Sequence, residues 1–174
     1  MATPVQQTAS ETRARYEGGD RRPLQGYLLA MGAYAAAAGS LVGIGRARGV
    51  RLPERLGLGD TVLLSIATHK ASRLLAKDTV TSPLRAPFAR FEEPAGEAEL
   101  NESVRGRGVQ HAVGELVTCP FCLSVWVSSA LVAGMVFAPR ATRLVSTGLT
   151  AVAASDTLQL AYDGSKQLLQ RAGE

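Results

Sequence analysis

Twenty consecutive residues from Gly26 to Gly45 carry no charge, and eighteen from Phe121 to Ala138 carry none either. Arg22 and Arg46 flank the first run, and Pro139-Arg140 ends the second. Twenty helical residues span about 30 Å, the thickness of a bilayer's hydrocarbon core. A soluble chain spreads charge around each amphipathic element, whereas here uncharged runs alternate with stretches dense in Arg and Glu. That segregation is the pattern of a polytopic membrane protein. It matters more than the mean hydropathy of +0.07. It also makes the net charge of +4 a question of distribution rather than the mark of a nucleic-acid partner.

Taken in order, residues 1–25 read as a disordered basic tail, with Arg13, Arg15, Arg21 and Arg22 against Glu11, Glu17 and Asp20. Such a polar lead argues against a signal peptide. Residues 26–45 are the expected first transmembrane helix, whose Gly32/Ala36 and Ala35/Gly39 pairs suit close helix packing in lipid. After an arginine-rich link, a second helix is expected over 58–76. It is less apolar, with Asp60, His69, Lys70 and Arg73 inside it and a stripe of Thr61, Ser65, Thr68 and Ser72 along one face. Residues 77–118 form a long polar loop. In it Ser82-Pro83 fits the N-cap and N1 of a short helical turn. Arg85, Phe88, Arg90 and Phe91 interleave cations and aromatics as interfacial anchors do. Glu92, Glu93, Glu97, Glu99 and Glu102 predict a solvated, mobile segment, and from Val109 to Val117 helical spacing returns. Helices over 121–138 and 141–162 follow, then a polar segment over 163–174. The expected architecture is all-α: a polytopic integral membrane protein of about four helices, with a core membrane domain over 58–162.

Basic residues orient it. Eleven Lys and Arg lie on the side of the N-tail, the long loop and the C-terminal segment, and six on the side of the 46–57 link and the 139–143 corner. The positive-inside rule therefore puts both termini in the cytoplasm. Arginine outnumbers lysine, which occurs only at Lys70, Lys77 and Lys166, in keeping with a GC-rich bacterial genome. Helix depth then places His69, Arg73 and Asp156 in one intramembrane polar layer, level with Cys119 and Cys122. Ionisable groups at such depth must pair or face water, so Asp156 is expected to pair with Arg73 or His69, and Asp60 with Arg143.

Cys119-Pro120-Phe121-Cys122 holds both cysteines of the chain, four positions before its only tryptophan, Trp126. With Cys119 at N-cap and Pro120 at N1, free N–H groups and the helix dipole would stabilise a thiolate. That makes Cys119 and Cys122 the candidate catalytic residues. A quinone-coupled oxidoreductase needs a second cysteine pair, which this chain lacks, and the cytoplasmic side is reducing. Two thiolates also make half of a tetrahedral zinc site, which His111 and Glu115 would extend if one helix ran through Cys119 at four-residue steps. The remaining alternative is a pair of small thiols packed against Phe121 and Trp126 at a helix–loop junction.

Three segments occur in sequence: Ala67-Thr68-His69-Lys70 with Arg73-Leu74, Thr81-Ser82-Pro83-Leu84-Arg85-Ala86-Pro87-Phe88, and Glu115-Leu116 followed by Thr118-Cys119-Pro120-Phe121-Cys122 and Trp126. In these the chain resembles a family of small bacterial membrane proteins known as domain of unknown function 1360, over about Leu58 to Tyr162. Lys70 stands where Arg is as frequent. The resemblance implies a plasma-membrane location and no known activity. The expected function is a non-enzymatic scaffold or a binder of a cytoplasmic protein, of anionic lipid or of a second copy. The alternative is a thiol- or zinc-dependent membrane protein.

Overall fold

Long helices occupy both uncharged runs, where few side chains compete with the backbone and it is satisfied most completely through its own i→i−4 bonds, and two charged segments as well. In the computed structural model, which describes residues 11, 12, 16 and 23–173, the elements run in this order. Helix α1 is Leu24–Ala47, α2 is Leu58–Lys77 and the single turn α3 is Ser82–Arg85. Strands β1 (Ala89–Gly96) and β2 (Glu99–Val104) follow, then α4 (Val109–Thr118), α5 (Pro120–Phe137) and α6 (Pro139–Ala172). The arginines expected in the N-terminal tail (Arg13, Arg15, Arg21 and Arg22) lie outside the described residues.

Helix α2 is the centre of the bundle and packs against both α5 and α6. Leu64, Ala67, Ser72 and Ala76 form its buried face, small enough that neighbouring backbones approach closely. Helix α1 stands to one side, packed mainly on α4. Its contact stripe is buried Gly26 with half-buried Tyr27, Ala30, Tyr34 and Ala38, stepping by three and four residues. Two helices, α1 and α5, are long and apolar enough to cross a membrane. Their most apolar windows are 0% and 6% buried within the protein, so that apolar surface faces outward.

Two expectations are corrected. The fold is mostly helical rather than all-α, since the acidic segment expected to be mobile is an antiparallel hairpin. Ala89 pairs with Val104 and Phe91 with Glu102, and irregularities at Phe91/Glu93 and Pro94/Gly96 absorb the proline and glycine. The tight turn places Gly96 at φ +128° and Ala98 at φ +61°. The last helix does not stop near Tyr162 but continues unbroken to Ala172, taking in most of the polar segment expected over 163–174.

Candidate functional site

Helix α2 ends at Lys77, leaving the carbonyls of its last turn without helical partners. The segment that follows supplies them. Thr81 Oγ1 donates to the Leu74 carbonyl at 2.5 Å. Arg85 then folds its guanidinium back beneath the helix. Its Nη1 donates to Leu75 O at 2.9 Å and to Thr81 Oγ1 at 2.7 Å, and its Nη2 to Asp78 O at 3.0 Å. Its Nε reaches Glu102 Oε2 on β2 at 2.5 Å. The Arg85 and Glu102 side chains are 1% and 5% exposed. Arg85 is therefore not the interfacial anchor its neighbours predicted: a fork of donors next to unpaired carbonyls is drawn inward. Ser82 is likewise not the N-cap of the short turn, a position taken by Thr81. Of the other expected anchors, Phe88 is half-buried while Arg90 and Phe91 are exposed.

The hairpin is fastened to α2 a second time. Arg73 holds Glu99 with two bonds, Nε–Oε1 at 2.9 Å and Nη2–Oε2 at 2.5 Å. Beside it, the Thr79 N–H donates to Ala98 O at 2.9 Å. Glu99 and Glu102, two of the five acids expected to be solvated, are thus arginine partners. Position along α2 decides the remaining ion pairs. Lys70, three residues before Arg73, faces α6 and meets Asp156 at 2.5 Å. Asp156 therefore pairs with Lys70 rather than with Arg73 or His69. His69 is exposed, and its carbonyl accepts from Ser72 Oγ at 3.0 Å. The single polar layer expected at this depth is divided into separate pairs. At the opposite end of α2, Asp60 accepts two bonds from Arg143 at 2.9 and 2.8 Å, the partner expected for it.

The cysteine turn follows from its proline. A residue preceding proline is pushed out of the α region, and Cys119 is extended at φ −105°, ψ 107°. Helix α4 ends there and α5 begins at Pro120. Cys119 Sγ caps it by accepting from the Cys122 N–H at 3.1 Å. Both thiols are free, Cys119 half-buried and Cys122 exposed. Phe121 is 86% exposed and does not pack over them, while Trp126 stands edge-on to Tyr34. The break also removes the continuous helix that would have aligned His111, Glu115 and Cys119. His111 Nε2 lies 3.6 Å from Glu115 Oε1, and Glu115 Oε2 accepts from the Tyr27 hydroxyl at 2.5 Å. Among the described residues no group of three or more His, Cys, Asp or Glu is placed to hold a metal ion.

Capping by a thiol is weaker than capping by a hydroxyl, which gives a prediction. Cys119→Ala costs about 0.5–1 kcal/mol of stability, whereas Cys119→Ser is neutral or stabilising. Thermal unfolding of the purified protein distinguishes them, and equal loss in both variants would assign Cys119 a role other than capping.

Comparison with known proteins places these features in a wider set. The family described as a protein of unknown function (DUF1360) matches residues 63–162, from within α2 to within α6. The sporulation protein YjcA of Bacillus subtilis (strain 168) is 36% identical over 83 residues, which cover 46% of this chain and 70% of that protein. No solved structure matches the chain. Helix α1 lies outside the family match; Arg73, Arg85, Glu99, Glu102 and both cysteines lie inside it.

Proposed function

The chain belongs to the DUF1360 family of proteins of unknown function, and from that premise we propose that it is a non-enzymatic, multi-pass bacterial membrane protein that docks a cytoplasmic protein partner through residues 78–118. The observation that carries this reading is the fastening of the hairpin. A polar connection that served only to join two helices would have no need of a buried Arg85–Glu102 pair and a two-bond Arg73–Glu99 pair. Pre-ordering a surface lowers the entropy lost on binding, as a docking platform requires. The platform exposes Phe91, Val80 and Leu84 beside Arg90, Glu92 and Glu93, the mixture of apolar anchor and polar rim found in protein interfaces.

The four-span arrangement, with 58–162 as the core membrane domain and both termini inside, is part of the proposal. Outward-facing apolar windows on α1 and α5 support it, since in water they would be a large exposed apolar surface. Lys70–Asp156 and Asp60–Arg143 support α2 and α6 as further spans, because ionisable groups in lipid pair with one another. The name of the Bacillus relative, a sporulation protein, attaches a process to that protein, and the proposal for this chain does not draw on it.

The test is a photo-crosslinking residue placed at Phe91 in cells. A discrete protein adduct that disappears with Arg90→Glu is expected, and adducts to lipid alone would replace the protein partner by a bilayer surface. Impermeant thiol reagents complete it: Cys122 should react only when the cytoplasmic face is opened, and reaction from outside overturns the orientation.

A further inference from the structure

Helix α1 meets α5 at two levels and leaves a gap between them. At the first, the Tyr34 hydroxyl and Ser129 Oγ are hydrogen-bonded at 2.7 Å, and the Tyr34 ring stands edge-on to Trp126 with centroids 5.2 Å apart. At the second, the absent side chain of Gly45 lets the backbone approach the Phe137 ring, whose Cζ would lie 3.5 Å from a Cβ there. Between the two contacts the walls carry alanines, Ala37 and Ala38 on α1 and Ala130 and Ala133 on α5, too short to fill the space. The result is an apolar cleft of about 790 Å³. That is within the range of about 300–1,000 Å³ typical of small-molecule sites.

One end of the cleft is basic. Arg46 lines it, and Arg48, Arg51 and Arg55 follow in the link, with Glu54 the only acid among them. None of these four arginines has an ion-pair partner among the described residues. An apolar slot lined at one end by the unneutralised guanidinium of Arg46 matches a molecule with a hydrocarbon chain and an anionic head.

We propose that this cleft binds one anionic phospholipid, with an acyl chain between α1 and α5 and its phosphate at Arg46. A helix from a second copy is a poorer match, since α1 and α5, the apolar helices that could enter, carry no acid and would leave Arg46 unneutralised. The site lies between α1, α5 and the start of the 46–57 link, on residues other than those of the hairpin platform, and rests on the membrane reading of the chain.

The test begins with membrane fractionation of the full chain, then native mass spectrometry of the detergent-purified protein with added phosphatidylglycerol or phosphatidylcholine of identical acyl chains. One phosphatidylglycerol per chain is expected, and Arg46→Gln should reduce its preference over phosphatidylcholine about fivefold, the weight of one surface arginine toward anionic lipid. Ala133→Phe fills the cleft and should abolish the bound lipid with the thermal midpoint unchanged. If that variant does not accumulate, Ala38→Leu fills it from the opposite wall. Equal retention of the two lipids, lipid still bound to a filled-cleft variant, or a dimer in place of the lipid each overturns the site. A chain that does not fractionate with membranes overturns the membrane reading as well, whereas an integrated chain without lipid preference overturns this site alone.

Discussion

Arg85→Met lowers the stability of the protein by about 3–5 kcal/mol, the loss that follows when one member of a buried ion pair is removed and the other stays. Glu102 is left with a side chain 5% exposed and no cation in reach of its Oε2. The carbonyls of Leu75 and Asp78 lose their donors at the same time. Arg85→Lys does not restore them, because a single ammonium cannot reach Glu102, Leu75 and Asp78 together as the planar fork does. The double variant Arg85→Met with Glu102→Leu recovers part of the loss by removing the buried charge, but not the part owed to the carbonyls. Thermal or denaturant unfolding in detergent measures all three. Retention of full stability by Arg85→Met would mean that the Arg85–Glu102 pair is not buried as described.

Gly114→Ala costs about 1–3 kcal/mol, the usual penalty for forcing atoms into a filled space. A Cβ at Gly114 would lie 2.4 Å from Val104 Cγ1 and 2.8 Å from the Phe88 carbonyl oxygen. That oxygen cannot retreat freely, since it accepts from the Arg105 N–H at 2.8 Å. Helix α4 and the base of the hairpin meet here, so Gly114→Ala should also weaken crosslinking from position 91 if the platform binds a partner. Gly32→Ala is the contrast. Nothing lies within 4 Å of its added methyl, and the change gains up to about 1 kcal/mol of helix propensity. Equal unfolding midpoints for the two variants would exclude a close contact at Gly114.

Much of the helical frame was legible. The expected helices at 26–45, 58–76 and 121–138 became Leu24–Ala47, Leu58–Lys77 and Pro120–Phe137. Their cause is local: uncharged runs at 26–45 and 121–138, and a polar stripe at three- and four-residue steps on one side of 58–76, each favour a helix whatever surrounds them. The cap at Cys119 was legible for the same reason, because Pro120 restricts its neighbour whatever surrounds them. The hairpin was not. Glu92, Glu93, Pro94, Ala95 and Gly96 are residues depleted in strands. This strand exists because Arg73 and Arg85, 26 and 17 residues from their glutamates, hold its partner against the end of α2. The reading of Arg85 as a lipid anchor failed with it, since the carbonyls that draw it inward are invisible until α2 is known to end beside it.

The chain's covalent order therefore determined where apolar helices start and stop, which ends of the bundle carry basic residues, and that the two thiols sit at a helix start. Each of these depends on neighbours a turn or less away, or on simple composition. Which charge meets which was decided by the tertiary structure alone. Lys70 and Arg73 differ by three positions and have the same sign, yet one faces Asp156 on α6 and the other Glu99 on the hairpin. Three residues on a helix are a rotation of about 60° short of a full turn, and that angle has meaning only once the neighbouring elements are in place.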